Sequence, residues 1–328
     1  MNRMMKRRFG FDGVAAFTVL LAVALFPFPA AALDVLIGTG PTGTFSHFAG
    51  RTLCRTLDLR ADGVACKVVP APGGVHNLTN LRIGSLDMAL IDSRMLHDAI
   101  HQTGYFRFLD IHYDNLKTIA SLYDLPIVLL VRSDARIGSL DAVKGKRINA
   151  GAPRSPEHLA FDAILAAKRW SADDFSLVEE LSSSQSLDTM AFCHGTIHAM
   201  LHIGVHPNDS LQQLLRLCDA GFCDLYDADI QQMVEKHPAF FPIVIPAATY
   251  PSQQTPVSTF GTRVVLVASA DLGEQTVYRI AEAIYRHRER MSAAHPALVP
   301  FRDNAPPPEA FGLSPHPGVV RYFAEQGS

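Results

Sequence analysis

A chain of 328 residues with a formal charge of −3, 48% hydrophobic and 19% charged, is apolar enough to fold and long enough for two core-bearing lobes. The acidic balance argues against a nucleic-acid partner, which calls for a basic surface. No tandem repeat or low-complexity tract interrupts the chain.

The first 32 residues read as an export signal. Arg3, Lys6, Arg7 and Arg8 precede a 13-residue apolar run, Val14 to Phe26, short of the roughly 20 residues that a membrane-spanning helix needs. Ala30-Ala31-Ala32 supplies the small residues a signal peptidase accepts, so cleavage after Ala32 and a periplasmic location are expected. Arg7-Arg8 as a twin-arginine signal is the competing reading, although paired basic residues are normal in any charged leader.

Val35 to Phe45 reads as a buried strand, a turn rich in glycine and threonine, and the start of a helix. Glycine lets a ligand approach the backbone and the first amides of a helix are unpaired, so this turn is expected to grip a small anionic or polar ligand. Gly38, Gly40 and Gly43 also fit G-x-G-x-x-G, but the second strand, Lys67 to Pro70, ends in no acid to hold a ribose. A P-loop would need Lys where Thr44 stands. An ordinary strand-to-helix turn is the structural alternative.

The helix runs to about Leu59, a strand follows at Cys66 to Pro70, and Ala71 to Asn77 forms a second glycine turn before a helix that ends near Gly84. Asp87 to Ile91 is a third strand, ending at Asp92-Ser93. Ligands of parallel βαβ sheets sit at the carboxyl ends of strands, which gathers Thr44, Gly74, Asn77 and Ser93 at one crevice. Leu116 to Tyr123 precedes Pro126 to Arg132, a continuous apolar run typical of a central strand and of a crossing into a second lobe.

That lobe opens with Ile137 to Lys146, the strand Arg147 to Ala150 and a third loop, Gly151 to His158. Ser155, Pro156 and Glu157 are predicted as N-cap, N1 and N2 of the next helix. Its N-terminus would face the first loop across a cleft, and Arg154 would add a positive charge there, a solvated loop arginine being the alternative.

His194, His198, His202 and His206 are each four apart, which on a helix would make a metal-binding face. Gly195, Gly204 and Pro207 instead frame Thr196 to Leu201 as a short buried strand, where residues spread by ~3.3 Å each and four imidazoles cannot share one ion. His202 is then expected at the strand end, in the cleft, and neither metal nor other cofactor is expected.

Of the five cysteines at least one must stay unpaired within a monomer; Cys54 and Cys66 could be joined across a helix-turn-strand unit, Cys218 and Cys223 are near neighbours, buried free thiols are the alternative for each pair, and the pairing among the five, Cys193 included, is open. No C-x-x-C supports a redox role. Further on, Leu211 to Leu217 and Ala228 to His237 precede Thr262 to Ala268, an apolar strand read as the return to the first lobe, then a helix from Glu274 to about Ala293 and a proline-rich tail. Two crossings imply a hinge and a division into 33–132 plus 254–328 and 133–253.

Ile37 to Gly40 with Thr42 to Phe45, Gly73-Gly74 with Asn77-Leu78, Asp87 to Ser93, Ala120 to Tyr123, Gly151 to Pro153, Ile245 to Ala247 with Thr249 to Pro251, and His316 to Gly318 together resemble, in order and spacing, the TAXI solute receptors of tripartite TRAP transporters. The resemblance spans nearly the whole chain after the leader. It implies an α/β fold of the type II-like periplasmic binding protein kind, in which two lobes, each a mixed sheet flanked by helices, join through a two-crossover hinge. It further implies a monomer that captures a small carboxylate or amino acid, glutamate-like or related, and hands it to TRAP-type membrane carrier subunits. With the loops above, the expected ligand contacts are Thr39, Gly43, Thr44, Phe45, Gly73, Gly74, Asn77, Ser93, Tyr123, Arg154, Ser155, Glu157 and His202, with no catalytic residue. Arg154 and Pro156 stand where the family keeps glycines, Glu157 where it keeps threonine, His158 where it keeps glutamate and Pro41 where glycine is usual, which leaves the ligand open.

An enzyme is the rival class, but G-x-S-x-G and H-E-x-x-H are absent and no spacing of Ser, His and Asp singles out a triad. A metal-binding receptor built on the histidine run is the second rival.

Overall fold

The computed structural model describes residues 33–61, 63–182, 186–299, 301 and 312–327; the expected export signal lies outside them. The first part of the chain alternates β1 (Leu33–Thr39), α1 (Phe45–Arg60), β2 (Val64–Pro70), α2 (Gly74–Arg82), β3 (Met88–Asp92) and α3 (Ser93–His101), then enters the long strand β4 (Leu116–Arg132). The middle part holds β5 (Arg147–Asn149), α4 (Pro156–Lys168), β6 (Leu177–Glu179), α5 (Ser186–Cys193), β7 (Ala199–Ile203), α6 (Asp209–Leu217), β8 (Ala220–Cys223), α7 (Ala228–Lys236) and β9 (Phe241–Ile245). The chain returns through β10 (Val257–Ser269) to α8 (Glu274–Arg286), α9 (Arg288–Ser292) and α10 (Pro317–Gln326). No described helix is long and apolar enough to cross a membrane.

The strands form one mixed sheet in the order β2-β1-β3-β10-β4-β7-β5-β6, with β8 on β4 and β9 on β10. β1 is parallel to β2 and β3, and β5 is parallel to β6 and β7, whereas β10 and β4 run antiparallel to their neighbours. β4 and β10 serve both ends of the sheet, and their unbroken apolar runs reflect burial on both faces. Alternate residues of β4 feed opposite covers: Ile127 and Leu129 pack into a core with Ala160, Ile164 and Ile230, while Val128 and Leu130 pack with Leu211 and Leu215. At the other end Leu122, Tyr123 and Val264 join Leu53, Ile280 and Val319, and Val265 joins Leu78 and Leu96. Each end of the sheet thus has helices on both faces, the two-lobed α/β architecture that the sequence implies, and core membership on β4 changes between Tyr123 and Ile127.

Several elements differ from expectation. Leu116 to Arg132 is one strand. The helix expected from Glu274 to Ala293 is interrupted at His287, and the histidine-bearing strand lies a few residues later than expected, at Ala199–Ile203. Disulfides join Cys54 to Cys66 and Cys193 to Cys218, so the pairing of Cys218 with Cys223 is overturned. The reason is face parity: Cys218 packs with Leu211 and Leu215 on one side of the sheet, while Cys223 points into the core of Ile127 and Ile230 on the other. Cys223 is a buried free thiol whose pKa burial pushes up to about 11.

Candidate functional site

β3 ends at Asp92, and that carboxylate caps α3 by accepting from the amides of Arg94 at 2.9 Å and Met95 at 3.3 Å. Its second oxygen accepts from the Thr262 hydroxyl on β10. Burial pushes the Asp92 carboxyl above the usual range, opposed by these three hydrogen bonds and by Arg94. Arg94, in the first turn of α3, reaches across to α4, where its Nη1 donates to the Leu159 carbonyl at 2.9 Å, and its guanidinium stands 5.6 Å from the centre of the Phe240 ring. On the facing element Ser155 caps α4 by accepting from the His158 amide at 3.2 Å, Pro156 takes the first helical position and Glu157 follows. The Tyr105 hydroxyl donates to the Arg154 carbonyl, a second link between the two sides.

Between these elements lies a cavity of about 270 Å³. Met95, Leu125, Ile127, Ile203 and Phe240 give it an apolar body, while Arg94 faces it together with Asp92, Asp98 and Glu157. The N-termini of α3 and α4 border it and favour an anionic group there. One guanidinium against several carboxylates suits a small molecule carrying both an anionic and a cationic end. Among the described residues that line the cavity there is no Ser, Cys, Lys or His.

The sequence-derived candidates spread over several places. Glu157 lines the cavity, Ser155 caps the helix beside it, and Gly74 packs against Met95 so closely that a Cβ would lie 2.2 Å from its Sδ. Gly73, half-buried, is the N-cap of α2. Ser93 is buried with its hydroxyl donating to the Ala239 carbonyl at 2.8 Å and accepting from the Arg263 amide at 3.0 Å. Thr39 and Asn77 brace the first loop: Asn77 Nδ2 donates to the Thr39 carbonyl at 3.1 Å, and Thr39 Oγ1 lies 3.2 Å from His47 Nδ1. Tyr123 is buried edge-on against Phe45, with ring centres 4.9 Å apart. Thr44 caps α1, and Gly43 and Thr44 line a separate surface hollow with Arg51 and Arg55. The Arg154 side chain is exposed, its backbone at φ 67°. His202 lines a hollow beside α6 and the Cys193–Cys218 disulfide, away from Arg94. Among the described residues no group of three or more His, Cys, Asp or Glu is arranged to hold a metal, so the histidine run forms no such site.

The residues that do converge, Arg94, Asp98 and Thr262 above all, were not singled out. A signal existed for two of them. Asp92 is a strong helix-capping residue type, and Met95, Leu96, Ala99 and Ile100 follow at helical spacing, which would have revealed α3 and its first-turn arginine.

Fold and cavity together define a two-lobed α/β architecture with a small cavity beside the starts of α3 and α4. The chain belongs to the NMT1-like family, which matches residues 37–327. Among solved structures it is similar to a TctC solute binding protein from Polaromonas at 15% identity, covering 81% of this chain and 88% of that one with a TM-score of 0.56, a likeness that shows a shared fold. It also matches the periplasmic aliphatic sulphonate binding protein SsuA from Escherichia coli at 15% identity, covering 89% and 78% of the two chains with a TM-score of 0.45. PhnD1 from Prochlorococcus marinus in complex with methylphosphonate matches at 12% identity, covering 90% and 98% with a TM-score of 0.49.

Proposed function

We propose that this protein is a periplasmic solute-binding receptor that captures a small carboxylate or amino acid between its lobes and delivers it to a TRAP-type membrane carrier. The observation that carries this reading is Arg94, a guanidinium at a helix N-terminus that faces a cavity of about 270 Å³ with apolar walls. A ligand carboxylate would take the free edge of that guanidinium, and a charge-assisted bond of this kind contributes about 1.5 to 3 kcal/mol. Asp98 and Glu157 would receive an ammonium group, which favours an amino acid over a simple dicarboxylate. The shared fold with a solute binding protein and the TAXI-like order of motifs support capture and delivery as the role.

The lobes, 33–132 plus 254–328 and 133–253, would move about β4 and β10, the strands that serve both ends of the sheet. Opening would break the links from Arg94 to Leu159 and from Tyr105 to Arg154. The test is a thermal-shift screen of the mature chain against amino acids and short carboxylates, followed by calorimetry and a turnover assay of each hit. Stoichiometric binding without product is expected; product formation would reassign the protein to an enzyme class.

A further inference from the structure

The cavity at Arg94 holds few polar groups that are free to meet a ligand. The Thr262 hydroxyl donates to Asp92 and the Tyr105 hydroxyl to the Arg154 carbonyl, so both are engaged within the chain. Both Asp92 oxygens are engaged as well, one by the amides of Arg94 and Met95 and the other by Thr262. Three charged side chains of the lining remain: Asp98, Glu157 and Arg94, whose guanidinium gives Leu159 one N–H and keeps the others. Among the described residues no Asn or Gln lines the cavity.

Asp98 follows Arg94 by four residues, so the two lie on one face of α3, about 5 to 6 Å apart at Cβ. The Asp98 carboxylate is held in place. Its Oδ1 accepts from the Thr103 hydroxyl at 2.7 Å, and a Cβ on Gly104 would lie 2.4 Å from its Oδ2. Gly104 has φ 52°, so left-handed backbone and close approach both call for glycine beside that carboxylate. Oδ2 itself has no hydrogen-bond partner among the described residues. A guanidinium and a carboxylate one helical turn apart match the carboxylate and ammonium that an amino acid carries on a single carbon. Away from α3 the walls are Leu125 and Ile127 on β4, Ile203 on β7 and Phe240, none of which can pair with a polar side chain.

We propose that the ligand is an amino acid with an apolar side chain, its carboxylate on Arg94, its ammonium on Asp98 and its side chain against β4, β7 and Phe240. This assignment rests on the receptor reading above and departs from the glutamate-like ligand that the sequence resemblance implies. A glutamate side chain would bring a second ligand carboxylate into a cavity that has one guanidinium and already holds the carboxylates of Asp92, Asp98 and Glu157. A glutamine or lysine side chain would lose its hydrogen bonds to water against walls that replace none of them. An aliphatic or aromatic side chain gains from the same walls by leaving water.

The test is calorimetric titration of residues 33–328 with L-leucine, L-phenylalanine, L-glutamate, L-glutamine and L-lysine, and with 4-methylpentanoate and 3-phenylpropanoate, the counterparts of the first two without an amino group. The tighter of leucine and phenylalanine is expected to bind about tenfold or more tightly than each polar amino acid, and about tenfold or more tightly than its own counterpart. Asp98→Asn is expected to shrink the preference over the counterpart to about threefold or less. Gly104→Ala, which displaces the same carboxylate without altering it, is expected to shrink it as well. The proposal is overturned, with the receptor reading left standing, if glutamate, glutamine or lysine binds as tightly as the better apolar compound, if the counterpart binds as tightly as its amino acid, or if both variants keep the wild-type preference. Binding by none of these compounds, nor by any other amino acid or short carboxylate, overturns both.

Discussion

Arg94 and Asp92 stand at one helix start and serve opposite purposes. Replacing Arg94 with Met keeps length and apolar contact with Phe240 but removes the charge, so affinity for an amino-acid ligand should fall by about tenfold to a hundredfold, as read by calorimetry. Asp92 has a folded pKa raised by burial, so its charged form is less favourable folded than unfolded. That penalty is present above the folded pKa and disappears as pH falls through it towards the unfolded value. Asp92→Asn keeps a capping oxygen, and scanning calorimetry should show a higher midpoint than wild type at about pH 8 and a vanishing difference at about pH 4. A constant difference at both pH values would contradict the burial account. Arg154 presents a different case, an exposed side chain on a left-handed backbone. Arg154→Gly should raise stability slightly while ligand affinity stays the same, the reverse of what a specificity-determining arginine would do. At this scale the loop itself was legible from Ser155-Pro156-Glu157, but the direction of a long side chain was not, because that depends on what α3 brings opposite it.

Element by element, what could be read in advance was whatever carries its signal locally. The start of α1, the cap of α4 and the long apolar runs were legible in this sense. β6, β8 and β9 span three to five residues, too few for a period to emerge, and they exist because neighbouring edges offer them backbone partners. The pairing of Cys193 with Cys218 was equally out of reach, since spacing says nothing about which face of a sheet a thiol meets. Breaking that disulfide with Cys193→Ala and Cys218→Ala releases a loop of sequence separation 25, against 12 for Cys54 and Cys66. Urea unfolding should show losses of about 3 kcal/mol for each pair, larger by roughly 0.6 kcal/mol for the longer loop. α10 is fixed to α8 by Gly318, where an added Cβ would lie 2.4 Å from the Glu274 carbonyl oxygen and 2.6 Å from the Tyr278 nitrogen. Backbone cannot retreat as a flexible side chain can, so Gly318→Ala should lower stability by about 2 kcal/mol or more in the same assay.

For the whole molecule the consequential feature is that β4 and β10 run through both lobes, while Arg94 and Tyr105 tie one side of the cavity to the other. A ligand that replaces water between those sides favours the closed arrangement only by its extra affinity for it. Small-angle scattering of residues 33–328 should therefore show a smaller radius of gyration with ligand than without. The most direct measurement is calorimetric titration of residues 33–328, wild type and Arg94→Met variant, with whichever amino acid or short carboxylate raises the thermal midpoint most in a screen. The account predicts one site per chain in the wild type and a loss of about tenfold or more in the variant. Equal affinity in both proteins, or no response to any compound of these classes, would contradict it.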